Sequence, residues 1–189
     1  MERDYSGELL RFIQEHPSVY HVIEGQRRIL LEAGYEQLLE SQHWTLREGG
    51  KYFLTRNHSA LIAFQVPKKR FRGFMLMASH SDSPALKVKE NPEITVGGLY
   101  KKLNVELYGG ALLAPWLDRP LSVAGRLLVR TSEGVRMQLV NVDRDLLLIP
   151  SLAIHMNREV NSGYKYNAQK DMLPLYGMST AKDTFTETI

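Results

Sequence analysis

Apolar residues recur at helical spacing at Leu9, Leu10, Phe12 and Ile13, and the pattern stops before Pro17, which predicts a first helix. Ser18 is placed to cap a second helix through Val22, Ile23, Ile29, Leu30 and Ala33, with Gly34 suited to the residue just past its end. The period then changes. Trp44–Leu46, Lys51–Thr55 and Ala60–Phe64 predict short strands, with turns at Gly49-Gly50 and Arg56–Ser59. The apolar run Phe74–Met77, introduced by Gly73, predicts a buried strand that leads into Ala78-Ser79-His80-Ser81-Asp82-Ser83-Pro84.

The character of the chain shifts around Glu90–Glu93, which predicts a domain boundary near residue 92. Residues 1–91 then form an α/β part, and residues 92–189 a β-rich part. In the second part Leu103–Tyr108 and Met137–Val142 alternate apolar and polar residues, and Leu121–Val129 is strand-like. Ser132–Gly134 is a turn, Ser151 is placed to cap a short helix or turn, and Asn161–Asn167 is loop-like. The final Asp183–Ile189 shows little periodicity and completes no element.

Composition narrows the classes. The 189 residues are 43% hydrophobic and 24% charged, as in ordinary water-soluble globular proteins. With no cysteine there is neither a disulfide nor a thiolate metal site, which fits a reducing cytoplasm. Met1–Asp4 lead into an amphipathic pattern rather than a signal peptide, and no apolar stretch approaches the ~20 residues of a membrane span. The formal charge is only +3. Its one basic run, Lys68–Arg72, lies between two expected strands and reads as a solvated turn rather than a nucleic-acid patch, because aromatic platforms around it are sparse.

The candidate chemistry centres on His80 and Asp82. On an extended chain, residues i and i+2 face the same side, so an imidazole and a carboxylate can act together there. The imidazole can bind a metal through one nitrogen while the carboxylate holds the other. On spacing alone, the plainer reading of a hydrogen-bonded histidine at a strand end outweighs that of a ligand. The other histidines show no ligand spacing, and His-Glu-x-x-His, phosphate-loop and Gly-x-Ser-x-Gly motifs are absent. Asp118 reads as a turn carboxylate or an ion-pair partner of Arg119 or Arg126. By its apolar neighbours, His155 reads as a core or interface histidine.

Several blocks taken together carry more. Ala78-Ser79-His80-Ser81-Asp82-Ser83-Pro84 through Lys89 resembles the first metal-ligand segment of the M18 zinc aminopeptidases, the aspartyl aminopeptidase group. Val105–Gly110 with Trp116–Arg126, Ile149–Arg158 with Asn161 and Asn167, and Pro17–Val22 resemble three further blocks of that family, in order and at matching distances.

The resemblance implies a catalytic α/β domain interrupted by a β-rich inserted dimerisation domain. It implies that His80 is a ligand to one zinc of a two-metal site and that Asp82 is the catalytic-site carboxylate that orients that ligand. His155 would bind substrate in the active site of a neighbouring subunit, and Asp118 would be structural. The implied reaction is release of N-terminal residues, acidic ones among them, from peptides by a cytoplasmic homo-oligomer with no nucleic-acid or membrane partner. In the family the remaining metal ligands and the Glu-Glu pair lie beyond the inserted domain. The chain is therefore expected to be a truncated portion holding one ligand, and to leave a sheet edge or face uncovered.

Overall fold

The computed structural model describes residues 4–69 and 73–189. In chain order the regular elements are α1 (Tyr5–Glu15), α2 (Val19–Glu32), β1 (Glu36–Gln37), β2 (Lys51–Arg56), β3 (Ala60–Gln65), β4 (Ala85–Val96), β5 (Tyr100–Tyr108), β6 (Ala124–Thr131), β7 (Gly134–Asn141), β8 (Leu175–Met178) and α3 (Phe185–Thr188). They fall into two compact units. One holds Met1–Ser83 and Ala124–Leu139; the other holds Pro84–Val123 and Val140–Ile189. The boundary expected near residue 92 falls inside β4, whereas the first passage between units is at Ser83/Pro84.

In the first unit, Asp4 caps α1 by accepting from the Gly7 N–H at 2.9 Å, which satisfies one of the free donors of a helix start. Ser18 caps α2, as its position before the apolar pattern predicts. Between the helices His16 is buried. Its ring stacks on Phe12 at 4.2 Å, Nδ1–H donates to the Phe12 carbonyl at 2.7 Å, and Nε2 accepts from Arg28 at 3.3 Å. A Cβ on Gly25 would stand 2.2 Å from His16 Nε2, so the ring fits only against a glycine. β1 runs parallel to β2, and β2 pairs antiparallel with β3, giving the order β1-β2-β3 with Tyr52 and Phe53 buried. The β2–β3 turn places Asn57 and His58 in the left-handed region at φ 51° and 53°. The β6–β7 hairpin, most of which belongs to this unit, packs its first strand against α2.

Two expected strands do not form. Trp44–Leu46 is irregular, because the Trp44 indole N–H is committed to the Leu39 carbonyl at 2.8 Å and no ladder engages the segment. Phe74–Met77 enters no ladder among the described residues, and its four side chains are between 80% and 103% exposed. An apolar run becomes a strand only where neighbouring strands can take up its backbone groups. The basic run at Lys68–Arg72 extends into residues 70–72, which lie outside the described residues, as do residues 1–3.

In the second unit β5 is central, pairing antiparallel with β4 on one side and β8 on the other. Leu103 and Val105 of β5 form the core with Leu147 and Phe185, against which Leu86, Val88, Leu121 and Tyr176 pack. The β4–β5 register shifts between Val88 and Glu93, so Lys89–Pro92 stand opposite Asn104 alone, and the Asn104 side chain donates to the Asn91 carbonyl at 3.2 Å. The final segment does complete an element. Thr184 and Glu187 form a capping box around α3, and Phe185 is buried with its ring edge-on to Tyr176 at 5.6 Å. Ser151 begins no helix. No described helix is long and apolar enough to cross a membrane.

Two outcomes follow. Leu103→Ala leaves a cavity at a fully buried site and lowers unfolding free energy by about 3 kcal/mol, measured by denaturant unfolding. The exposed Phe74–Met77 run gives the purified chain an apparent mass above its 21.6 kDa in static light scattering, and Leu76→Asp lowers that mass.

Candidate functional site

His80 and Asp82 sit in the irregular stretch between Gly73 and Pro84, within the first unit. The i, i+2 spacing brings them together as the sequence implies: His80 Nδ1 lies 2.9 Å from Asp82 Oδ1. A carboxylate only accepts, so Nδ1 carries the proton and the lone pair of Nε2 is left outward. The His80 side chain is 93% exposed and that of Asp82 31%. An outward-facing imidazole whose second nitrogen is held by a carboxylate is the arrangement that metal-binding histidines use. Between them, Ser81 donates its hydroxyl to the Ser59 carbonyl at 3.4 Å.

The fit to a metal extends to one ligand position. A catalytic zinc takes three or more protein ligands. Among the described residues, no group of three or more His, Cys, Asp or Glu side chains could hold a metal ion.

The other candidates lie in the second unit. His155 is exposed in a turn closed by the Met156 N–H on the Ala153 carbonyl at 2.8 Å, and Leu152, Ile154 and Met156 beside it are exposed too. It is therefore not a core histidine within this chain. Asp118 adopts φ 54° and accepts from Ser151 twice, from the backbone N–H at 2.9 Å and from the hydroxyl at 2.5 Å. These two bonds, that of the hydroxyl foremost, hold its carboxyl below the usual range. Its partner is thus Ser151, not an arginine.

Arg126 instead reaches Asn57 within the first unit. Its Nη1 donates to the Asn57 carbonyl at 2.8 Å and to Asn57 Oδ1 at 3.1 Å, while the guanidinium lies 4.5 Å from the centroid of the Tyr20 ring. Sequence reasoning missed this contact, because its only signal is an asparagine in a turn, a residue that tolerates the left-handed region.

The family model described as "Aminopeptidase I zinc metalloprotease (M18)" matches residues 12–188. The chain belongs to the M18 aminopeptidase family. It is 44% identical over 185 residues to the probable M18 family aminopeptidase 2 of Clostridium acetobutylicum, a match that covers 96% of this chain and 43% of the relative. Chaetomium thermophilum mApe1 is 33% identical and superposes with a TM-score of 0.83 over 93% of this chain and 40% of that one. The S. cerevisiae mApe1 dodecamer is 28% identical, with a TM-score of 0.76 over 92% of this chain and 38% of that one. This M18 chain thus has a mixed α/β fold shared with family structures, and it spans about two fifths of the length of the relatives it matches. The family's description names a zinc metalloprotease.

The Asp118 geometry sets a pH dependence. A carboxyl held low in the folded state contributes stability that is present above its unfolded pKa and is lost as pH falls through the folded one. Ser151→Ala removes the hydroxyl donor, so the Asp118 carboxyl titrates at higher pH in carboxyl-carbon NMR, and acid unfolding begins at higher pH.

Proposed function

We propose that this chain is the part of a zinc-dependent aminopeptidase that supplies the metal ligand His80, with Asp82 as the carboxylate that fixes its tautomer. The observation that carries this reading is the 2.9 Å His80–Asp82 bond, with Nε2 outward, in a chain that belongs to the M18 family. When bound, zinc polarises a peptide carbonyl and lowers the pKa of a bound water. Asp82 keeps the proton on Nδ1 and orients the imidazole so that Nε2 is the nitrogen offered. The other metal ligands belong to the part of the family domain that this chain does not span. The substrates are peptides, from which N-terminal residues, acidic ones among them, are released.

The β-rich second unit, Pro84–Val123 and Val140–Ile189, serves as the inserted dimerisation domain. His155, exposed in its turn, binds substrate in the site of a neighbouring subunit. The dodecameric assembly of the S. cerevisiae relative supports a homo-oligomer here. The site of action is the cytoplasm.

A second reading has its own support. One ligand position and no metal cluster among the described residues favour a chain that keeps an interaction surface without catalysis.

A chimera tests the first reading. This chain is joined to the portion of the Clostridium acetobutylicum relative that it does not cover. The expected result is chelator-sensitive release of N-terminal residues from short peptides, reduced at least 100-fold by His80→Ala together with loss of bound zinc. Full zinc and activity in a folded His80→Ala chimera would overturn the ligand assignment. The peptide panel applied to the 189-residue chain alone tests the second reading, which chelator-sensitive release excludes.

A further inference from the structure

The Gly73–Pro84 stretch enters no ladder among the described residues, so side-chain contacts rather than strand pairing join the segment that carries the local His80–Asp82 bond to its surroundings. Ser81, between the two, is tied to the carbonyl of Ser59. Ser59 closes the β2–β3 turn, its N–H donating to the Arg56 carbonyl at 3.1 Å. That turn holds two consecutive non-glycine residues, Asn57 and His58, in the left-handed region, the backbone of a tight hairpin turn that asparagine accepts readily and a bulkier side chain only at a cost. Arg126 braces it. It grips both oxygens of Asn57 and is itself fixed over the Tyr20 ring at the start of α2. The line from Arg126 through Asn57, Ser59 and Ser81 to His80 lies wholly within the first unit.

We infer that Arg126 is a positioning residue for the His80–Asp82 pair, acting through the Asn57–Ser59 turn and Ser81. The inference rests on reading His80 as a metal ligand for its purpose, but not for its test. Arg126 comes from the hairpin at residues 124–139, some forty residues beyond the pair, so the chain returns to the first unit with the group that steadies its candidate ligand. A guanidinium suits the task because one nitrogen serves two acceptors while the planar group stacks on an aromatic face.

The test uses the full 189-residue chain without metal. Imidazole nitrogen NMR reads the His80 tautomer, and amide hydrogen exchange reads the turn. Arg126→Gln is expected to speed exchange at Ser59 and Ser81 at least 10-fold. It should also move His80 from the Nδ1–H tautomer toward the mixture of a free histidine. Ser81→Ala, which cuts only the last link, should produce the same tautomer shift. The double variant should add nothing to the larger single effect, as for residues acting through one connection. Arg130→Gln, a control further along β6, should leave the His80 signal unchanged.

A folded Arg126→Gln chain with the native His80 tautomer overturns the inference, even if its melting temperature falls, because a purely structural arginine would cost stability alone. If Arg126→Gln does not fold, Arg126→Lys takes its place under the same criteria, since it keeps the charge but not the planar group that serves Asn57 while stacked on Tyr20. Because no metal is present, failure of this test and failure of the zinc reading are separate results.

Discussion

The second unit depends on the alternation of β5. Leu103 and Val105 leave the strand on one side and are sealed from solvent, and Leu147 and Phe185 close over them. Their burial fixes which face of β5 is inward, and a period-two strand then has no freedom left. β4 and β8 pair along its two edges, which leaves one arrangement in which Leu86, Val88 and Tyr176 also reach the core. Each fully buried aliphatic side chain contributes roughly 1.5–3 kcal/mol, so this small cluster accounts for much of what holds that unit together.

Where the structure follows local chemistry, the sequence was legible. α1 and α2 announce themselves by apolar spacing, by Ser18 and by the stop before Pro17, and β2 and β3 by β-rich runs around a polar turn. The Thr184–Glu187 capping box was equally local, but the four-residue helix that it starts is too short to show a period. β8 is a four-residue strand whose partner lies some seventy residues earlier, so nothing nearby marks it. The run at Phe74–Met77 fails in the opposite direction. Its residues are apolar as in a buried strand, yet the ladder that would bury them requires neighbouring strands, and no ladder among the described residues includes them.

The same division runs through the candidate site. The His80–Asp82 contact follows from spacing on one stretch of backbone and was readable without a fold. Of the two surroundings that apolar neighbours allow for His155, a core and an interface, the core is not the one found in this chain, because apolar neighbours in sequence do not guarantee burial and its turn leaves them exposed. Arg126 was considered only as an ion-pair partner for Asp118. The charge-based expectation failed because Asp118 is satisfied by a serine hydroxyl and a backbone N–H, and the guanidinium is spent on an uncharged turn. Polar contacts between a charged group and a neutral one leave little trace in a sequence, whereas opposite charges suggest themselves even where they do not meet.

The interruption of the β4–β5 pairing bears on how the strands find one another. Because Lys89–Pro92 bow out opposite Asn104, the ladder consists of two short runs of unequal offset rather than one uniform ribbon. Sliding β4 by a single residue would bring Pro92, which has no N–H, toward a position that requires a donor, and would turn Leu86 and Val88 to the outer face. A shifted hairpin, or one exchanged with another molecule, therefore loses both ladder bonds and buried surface at once. The irregularity acts as a keyway that admits the strand in one offset only.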